Sequence, residues 1–169
     1  MNRKDALHLL HKAGCPPDVI AHTQAVAKYA REIAERYNER HRNHTGADIK
    51  LVITGALLHD IGRARSNGID HAVVGAEIAQ ALGLDARIVR IIKRHIGAGI
   101  PKDEAERLGL PREDYLPETA EEMIVAHADN LVDDTERISI DERIRRMKKR
   151  GFDSDAIERM IRLHNAVMG

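Results

Sequence analysis

The sequence has little of several residue types, and each shortage excludes a class of protein. It contains no tryptophan, one phenylalanine and three tyrosines, so its core must be built from aliphatic side chains, which favours packed helices over a β-sandwich. The single cysteine, Cys15, excludes an internal disulfide and predicts a reducing, cytoplasmic environment. No apolar run approaches the ~20 residues that cross a bilayer, and the N-terminal residues lack the apolar segment of a signal peptide.

Neither sign of charge is in excess. Lys and Arg together number 27, as do Asp and Glu, so we expect neither a membrane-binding surface nor general nucleic-acid binding. With 43% hydrophobic and 32% charged residues, the composition is that of a globular protein. A chain of 169 residues is long enough for one domain with a continuous core.

Apolar residues follow helical spacing along most of the chain, which predicts an all-α, single-domain helical bundle. Asp48 and Asp85 are the predicted N-caps of two helices, and no strand pattern is found. Residues 100–117 contain three prolines and are predicted to be irregular, with one short helical turn. The predicted helices cover residues 3–13, 16–40, 48–62, 71–82, 85–96, 118–133, 140–149 and 153–168.

Six polar residues fall on the apolar faces of five predicted helices. Any one of them alone would be explained as a hydrogen-bonded core residue. Together they would need six separate partners, because an unpaired buried polar group costs about 1–3 kcal/mol. A shared cation would satisfy them all, and imidazole with carboxylate is a ligand set for Fe, Mn, Zn, Co or Ni. We therefore predict a metal centre made by His22, His59, Asp60, His71, His95 and Asp129.

The same residues carry a resemblance to a known family. The segment HDIG at 59–62, preceded by GALL, resembles the signature of the HD-domain phosphohydrolases. The order His22, His59-Asp60, Asp129 is similar to the four-ligand motif of that superfamily, and His71 and His95 match the two extra histidines of its binuclear branch. The resemblance covers residues 16–135, the motif-bearing core. The C-terminal helices of residues 136–169 are predicted to belong to the same HD domain, which spans 1–169.

The resemblance implies two divalent ions per chain, of Fe, Mn, Co, Ni, Zn or Mg. It assigns His22, His59, Asp60 and Asp129 to the first ion, and Asp60, His71 and His95 to the second. A hydroxide activated by the metals would cleave a phosphomonoester or phosphodiester of a nucleotide or a similar small phosphate ester. The implied partner is thus a small phosphorylated substrate. The absence of a GYP signature gives no support for cyclic di-GMP hydrolysis.

Basic residues near the ligands are candidates for binding the substrate phosphate. Arg63 directly follows the HDIG segment and, with Asp60, is the predicted catalytic residue. Many HDIG proteins have lysine at this position, and arginine keeps the charge but presents a planar fork. The other candidates are Arg65, Lys93, Arg94 and Lys102.

Two other functions remain open. A di-iron oxygenase of HD fold would use a similar ligand set, although the basic residues beside the ligands favour phosphate. A non-catalytic nucleotide-sensing module is disfavoured because no ligand is missing. Cys15 lacks the neighbours of a catalytic nucleophile, and His164 is predicted at the surface.

Overall fold

Nine α-helices account for most of the chain, whose residues 1–169 are all described by the computed structural model. A 3-10 helix (Ile61–Ala64) follows the third of them, and β1 (Val132–Asp133) pairs antiparallel with β2 (Glu136–Arg137). None of the helices is both long and apolar enough to pass through a bilayer. The helices are α1 (Arg3–Ala13), α2 (Pro17–Arg40), α3 (Ile49–Leu58), α4 (His71–Ala81), α5 (Ala86–Lys93), α6 (Lys102–Arg107), α7 (Ala120–Asn130), α8 (Ile140–Lys149) and α9 (Ser154–Met168). The all-α prediction is confirmed.

Local sequence explains where several helices begin. The carboxylates of Asp48 and Asp85 accept backbone N–H groups in the first turns of α3 and α5, so both predicted N-caps are confirmed. Pro17 is the first residue of α2, a position where the missing proline N–H costs no helical hydrogen bond.

The core is aliphatic, as the shortage of aromatic residues predicts. Its main cluster contains 30 buried hydrophobic residues, none of which is aromatic. Packing is most extensive between α2 and α3, between α4 and α5, and between α2 and α7. The six polar residues of the predicted metal centre lie on these five helices or directly after them, so their inward faces converge on one region.

Helices α3 and α5 both end earlier than predicted. Helix α3 ends at Leu58 rather than near Gly62, because the chain tightens there into the 3-10 helix. Helix α5 ends at Lys93 instead of Ile96. The Nδ1 of His95 donates to the carbonyl of Ile92 at 2.7 Å, whereas in a continuing helix this carbonyl would accept the N–H of Ile96.

The region after α7 also differs from the prediction. Helix α7 ends at Asn130 rather than Asp133, and the four residues of the β-ribbon lie where no strand was predicted. Two-residue strands are too short to show an alternating pattern, which explains the error. The ribbon turn contains Asp134, the only non-glycine residue with a left-handed backbone (φ 57°).

The proline-containing segment has a small core of its own. Residues Ile100 and Tyr115 form an antiparallel bridge across α6, as expected for a mainly irregular segment with one helical turn. Their side chains pack with Ala105 and Leu110, and this cluster lies against Val73 and Ile96 beside α4 and α5.

Candidate metal centre

The structure brings all six predicted residues together. His22 projects from α2 and Asp129 from α7, whereas His59 and Asp60 lie in the turn between α3 and the 3-10 helix. His71 is the first residue of α4, and His95 lies just after α5. His59, Asp60, His71 and His95 are buried, and His22 and Asp129 are partly buried.

One half of the cluster surrounds the carboxylate of Asp129. Its Oδ1 lies 2.9 Å from Nε2 of His22 and 3.4 Å from Nε2 of His59. The Oδ2 of Asp60 completes this half, at 3.6 Å from Nε2 of His59 and 4.0 Å from Nε2 of His22. These four side chains are the group that the sequence assigns to the first ion.

The other half surrounds the second oxygen of Asp60. Its Oδ1 lies 3.2 Å from Nε2 of His71 and 3.4 Å from Nε2 of His95. The two imidazole Nε2 atoms are themselves 3.1 Å apart. Asp60 therefore directs one oxygen toward His22 and His59 and the other toward His71 and His95.

Backbone carbonyls fix the orientation of all four imidazoles. A carbonyl oxygen only accepts hydrogen bonds, so each Nδ1 must carry the proton and each Nε2 keeps its lone pair when the ring is neutral. Such a carbonyl partner on the outer nitrogen is the usual support for a metal-binding histidine. The pairs are His22 with Asp134 (2.6 Å), His59 with Ala56 (2.7 Å), His71 with Gly68 (2.8 Å) and His95 with Ile92 (2.7 Å).

The carboxylates and imidazoles of the cluster shift one another's pKa values. Burial opposes protonation of His59, but the charges of Asp60 and Asp129 outweigh it and raise the pKa of His59 to about 9. Burial likewise opposes ionisation of Asp60 and Asp129, yet the nearby imidazoles hold the pKa of both carboxyls far below the usual range. For His95 burial is the main cause, and its pKa is lowered.

These donors fit a metal ion on three counts. The buried Nε2 of His59 has no hydrogen-bond partner. Two ligand atoms bound at about 2.1 Å to one ion stand roughly 3.0–3.4 Å apart, close to most separations in both halves. Two facing Nε2 lone pairs, as in His71 and His95, repel each other unless a cation or proton lies between them. Overlapping groups that could hold an ion include His22, His59 and Asp129, and His59, Asp60 and His95.

The predicted phosphate-binding residues are in different surroundings. The Nε of Arg63 lies 3.7 Å from Oδ1 of Asp60, and its Nη1 donates to the carbonyl of Asn67. Arg94 is instead paired with Glu118 and Glu122. Lys93 pairs with Glu113, Arg65 lines a separate pocket beside α1, and Lys102 is exposed.

Sequence reasoning misplaced one other polar residue, His164, and did not single out another, Arg143. His164 was predicted at the surface, but it is partly buried and its ring accepts or donates a 2.9 Å hydrogen bond with buried His127. Arg143 was not singled out, although it follows Ile140 by three residues and precedes Met147 by four, the spacing of one helix face. Its guanidinium is partly buried near Asp129.

Cys15 is unsuited to nucleophilic chemistry. Its thiol is buried, and its Sγ donates to the carbonyl of Ile61 at 3.6 Å. Burial raises the pKa of this thiol to about 11, so the reactive thiolate is scarce at neutral pH.

Comparison with known proteins finds relatives that match almost the whole chain. The chain is 48% identical over 168 residues to an uncharacterized protein of Methanocaldococcus jannaschii, covering 99% of this chain and 97% of that protein. It is 47% identical over 163 residues to a tRNA (cytidine(56)-2'-O)-methyltransferase of Thermoplasma volcanium. That match covers 96% of this chain but 46% of the methyltransferase, so the chain spans less than half of the length of that relative.

Solved structures share the fold at low sequence identity. The HD domain of the L. monocytogenes phosphodiesterase PgpH in complex with cyclic-di-AMP superposes with a TM-score of 0.58 at 17% identity, covering 97% of this chain and 93% of that domain. A predicted HD superfamily hydrolase from an uncultured Thermotogales bacterium gives a TM-score of 0.52 at 24% identity, covering 98% of this chain and 87% of that one. The family model described as HD domain matches residues 19–134, which include all six clustered side chains. The chain belongs to the HD-domain family.

Proposed function

We propose that the protein is a metal-dependent phosphohydrolase that cleaves a phosphate ester of a nucleotide with two divalent ions. The proposal rests on the directions in which the two carboxylate oxygens of Asp60 point. Its two oxygens face two separate pairs of imidazoles, His22 with His59 and His71 with His95. A single-ion site would leave the second pair, with its facing Nε2 atoms, without a shared partner.

In this proposal the side chains divide into two ligand sets that share one residue. His22, His59 and Asp129 would hold one ion and His71 and His95 the other, with Asp60 contributing to both sets. When bound, the two ions would supply Lewis acidity that activates a water and neutralises charge on the phosphoryl group.

Arg63 is the proposed positive group beside the reacting phosphate. Its Nε is held near Asp60, and its guanidinium has five N–H donors, more than its contacts with Asp60 and Asn67 use. A planar fork of donors matches phosphoryl oxygens in pairs. We therefore assign to Arg63 the binding and orientation of the phosphoryl group.

The nucleotide part of the proposal is supported by the relatives. One solved HD domain of the same fold holds cyclic-di-AMP. A shorter match, 48% identical over 52 residues, is to Ribonuclease Y of Chloroflexus aurantiacus, whose name refers to RNA. Both ligands contain phosphodiester bonds between nucleosides, the bond type that a paired-metal centre is suited to cleave.

Elemental analysis combined with a phosphate-release screen tests the proposal. The purified protein would be loaded in turn with Mn, Fe, Co, Ni, Zn or Mg, and assayed against nucleoside monophosphates, cyclic nucleotides and bis-p-nitrophenyl phosphate. We expect about two ions per chain and cleavage of at least one class of ester. Asp60→Asn is expected to abolish both, because asparagine cannot bridge two cations with two anionic oxygens.

The matched control is Asp103→Asn, which makes the same chemical change at a side chain that is 78% exposed. It is expected to keep metal content and activity. Two bound ions without cleavage of any ester, accompanied by O₂ consumption by the iron form, would instead assign the centre to an oxygenase.

A further inference from the structure

A largely apolar cavity of about 210 Å³ opens between the segment after α5 and the C-terminal helices α8 and α9. Three of the six exposed large hydrophobic side chains in the protein line it: Ile69, Leu108 and Phe152, which are 40–47% exposed. Two methionines of α8 and α9, Met147 and Met160, are buried at its inner wall. Apolar side chains concentrated at one opening indicate a binding surface rather than random exposure.

Two arginine side chains in this cavity have donors without acceptors. The buried Nε atoms of Arg143 and Arg159 make no hydrogen bond. An unpaired buried donor is costly, so the protein leaves both guanidinium groups incompletely satisfied. Arg159 makes one side-chain hydrogen bond, to Glu104, and the remaining N–H groups of both arginines are available to a ligand that carries acceptors. The neighbours of Arg143 on α8 are different, because Arg145 and Arg146 are both paired with Glu142.

The cavity lies beside the metal centre, because its wall contains residues close in sequence to three of the clustered side chains. Ile69 precedes the ligand His71 by two residues, and Ile96 directly follows the ligand His95. The Asn130 side chain, next to the ligand Asp129, donates to the carbonyl of Gly97 in the cavity wall.

Arg143 lines the cavity, and Asp129 is among the charged groups around its guanidinium. Burial lowers the pKa of its guanidinium, and the Asp129 carboxylate is the foremost charge that acts in the opposite direction. No carboxylate lies within ion-pair distance of Arg143, whereas Arg159 is paired with Glu104. A guanidinium that is partly buried, unpaired and close to the cluster is well suited to an anion bound there.

We propose that this cavity holds the nucleobase of the substrate and that Arg143 binds the phosphate that joins this nucleoside to the metal centre. The assignment rests on the proposed function and adds to it a residue and a site that determine specificity. The guanidinium of Arg159 donates to an acceptor on the base, and Phe152 and the two methionines contact the ring.

The size and lining of the cavity favour a planar ring. A dry cavity of about 150 Å³ accommodates benzene, so 210 Å³ is enough for one somewhat larger ring system. Methionine sulfur and phenylalanine both make favourable contacts with aromatic rings. The two guanidinium groups add planar surfaces and donors that an aliphatic chain would leave unsatisfied.

The test compares substrates that differ only in the base. Metal-loaded protein would be assayed with the four ribonucleoside 5′-monophosphates, their 3′ isomers and ribose 5-phosphate, and binding of each would be measured by calorimetry. We expect the best nucleotide to exceed ribose 5-phosphate at least about tenfold in kcat/KM and in affinity. Phe152→Ala is expected to raise KM for the nucleotide about fivefold or more and to leave that for ribose 5-phosphate unchanged, because only the base is stacked.

Arg143→Gln is expected to raise KM for both compounds by about 10- to 100-fold, because both carry the phosphate. Arg143→Lys restores the charge without the fork and is expected to recover part of the loss. The matched controls are Arg145→Gln, on the same helix but 72% exposed, and Ile161→Ala, an exposed apolar residue outside the cavity. Neither control is expected to change KM.

The outcomes separate the two proposals. If no ester is cleaved, the proposed function fails, and calorimetry with the nucleotides still decides the cavity. If esters are cleaved but the base confers no advantage, or Phe152→Ala affects both compounds equally, the cavity assignment is overturned and the hydrolase remains.

Discussion

The carbonyl oxygen of His71 lies so close to Gly62 that a Cβ atom at Gly62 would be only 1.8 Å from it. The backbone nitrogen of Gly75 would be 2.7 Å from the same Cβ. The first turn of α4 thus packs directly on the backbone of the HDIG segment, and this contact holds His71 beside Asp60. The glycine of HDIG is explained by this close approach of two backbones.

Gly62→Ala is expected to displace α4. The clash is with backbone atoms, which cannot rotate away, so we expect a loss of at least about 3 kcal/mol in unfolding free energy and a lower metal content. Thermal unfolding and elemental analysis measure the two effects. Gly83→Ala is the control, because a Cβ at Gly83 would meet nothing within 4 Å. Only its left-handed backbone (φ 68°) is strained, so we expect a loss of about 1–2 kcal/mol in unfolding free energy and full metal content. Equal behaviour of the two variants would show that the close approach is unimportant.

Loss of either histidine of the His71 and His95 pair is expected to remove one ion. In His71→Ala or His95→Ala, bound metal should fall from about two per chain toward one, with a steep loss of phosphate release. In Asp60→Ala the binding of both ions should weaken together, because the two oxygens of Asp60 face the two halves of the cluster. His8→Ala, at an exposed histidine of α1, serves as the control for histidine removal. Full activity with one ion per chain in His71→Ala would defeat the binuclear assignment.

Removal of the metal is expected to destabilise the fold. Chelation leaves the buried Nε2 of His59 and the facing Nε2 atoms of His71 and His95 without a shared cation. Ions that bind only the folded chain stabilise it by about 2.7 kcal/mol at a concentration 100 times Kd. We therefore expect Tm to fall on chelation and to recover on metal addition. An identical Tm with and without metal would contradict a shared buried site.

The metal-free protein is expected to lose stability as the pH rises. The pKa of His59 is raised to about 9 in the folded state, above its ordinary value of 6.5, so its stabilising contribution is complete below about pH 6.5 and is lost as the pH rises through 9. Between pH 6.5 and 8.5 this amounts to on the order of 2 kcal/mol. Urea unfolding of metal-free protein at the two pH values measures it. His59→Gln, which does not titrate, is expected to remove most of this pH dependence, and a persistent slope in that variant would assign it to other groups.

The six clustered side chains were predictable because each lies on an otherwise apolar helix face. His22, for example, lies three residues after Val19 and four before Val26, the spacing of one helix face. The early end of α5 was not predictable in this way. It depends on the bond between the side chain of His95 and the carbonyl of Ile92, which competes with the helical hydrogen bond.

Arg143 shows a different limit of sequence reasoning. Its helix α8 contains four other basic residues. The spacing of Arg143 places it on the face of Ile140 and Met147, but no sequence pattern shows that this face lies beside the metal centre. The packing of α8 on α9 covers this face and leaves Arg145 exposed. Similarly, the carbonyl of Asp134 that orients His22 comes from a turn 112 residues away, a contact that no local pattern encodes.

The four carbonyls that accept the Nδ1 protons also restrict how the site can change. If aspartate replaced one of these histidines, the carbonyl behind it would lose its only side-chain donor and would face an anion. A hard, all-oxygen site of the kind that Ca²⁺ prefers is thus unfavourable at these positions without movement of the backbone. In the metal-loaded protein the choice among metals would therefore depend partly on main-chain atoms that do not bind the ion, and mutation of the ligands alone is expected to be a poor route to a new metal preference.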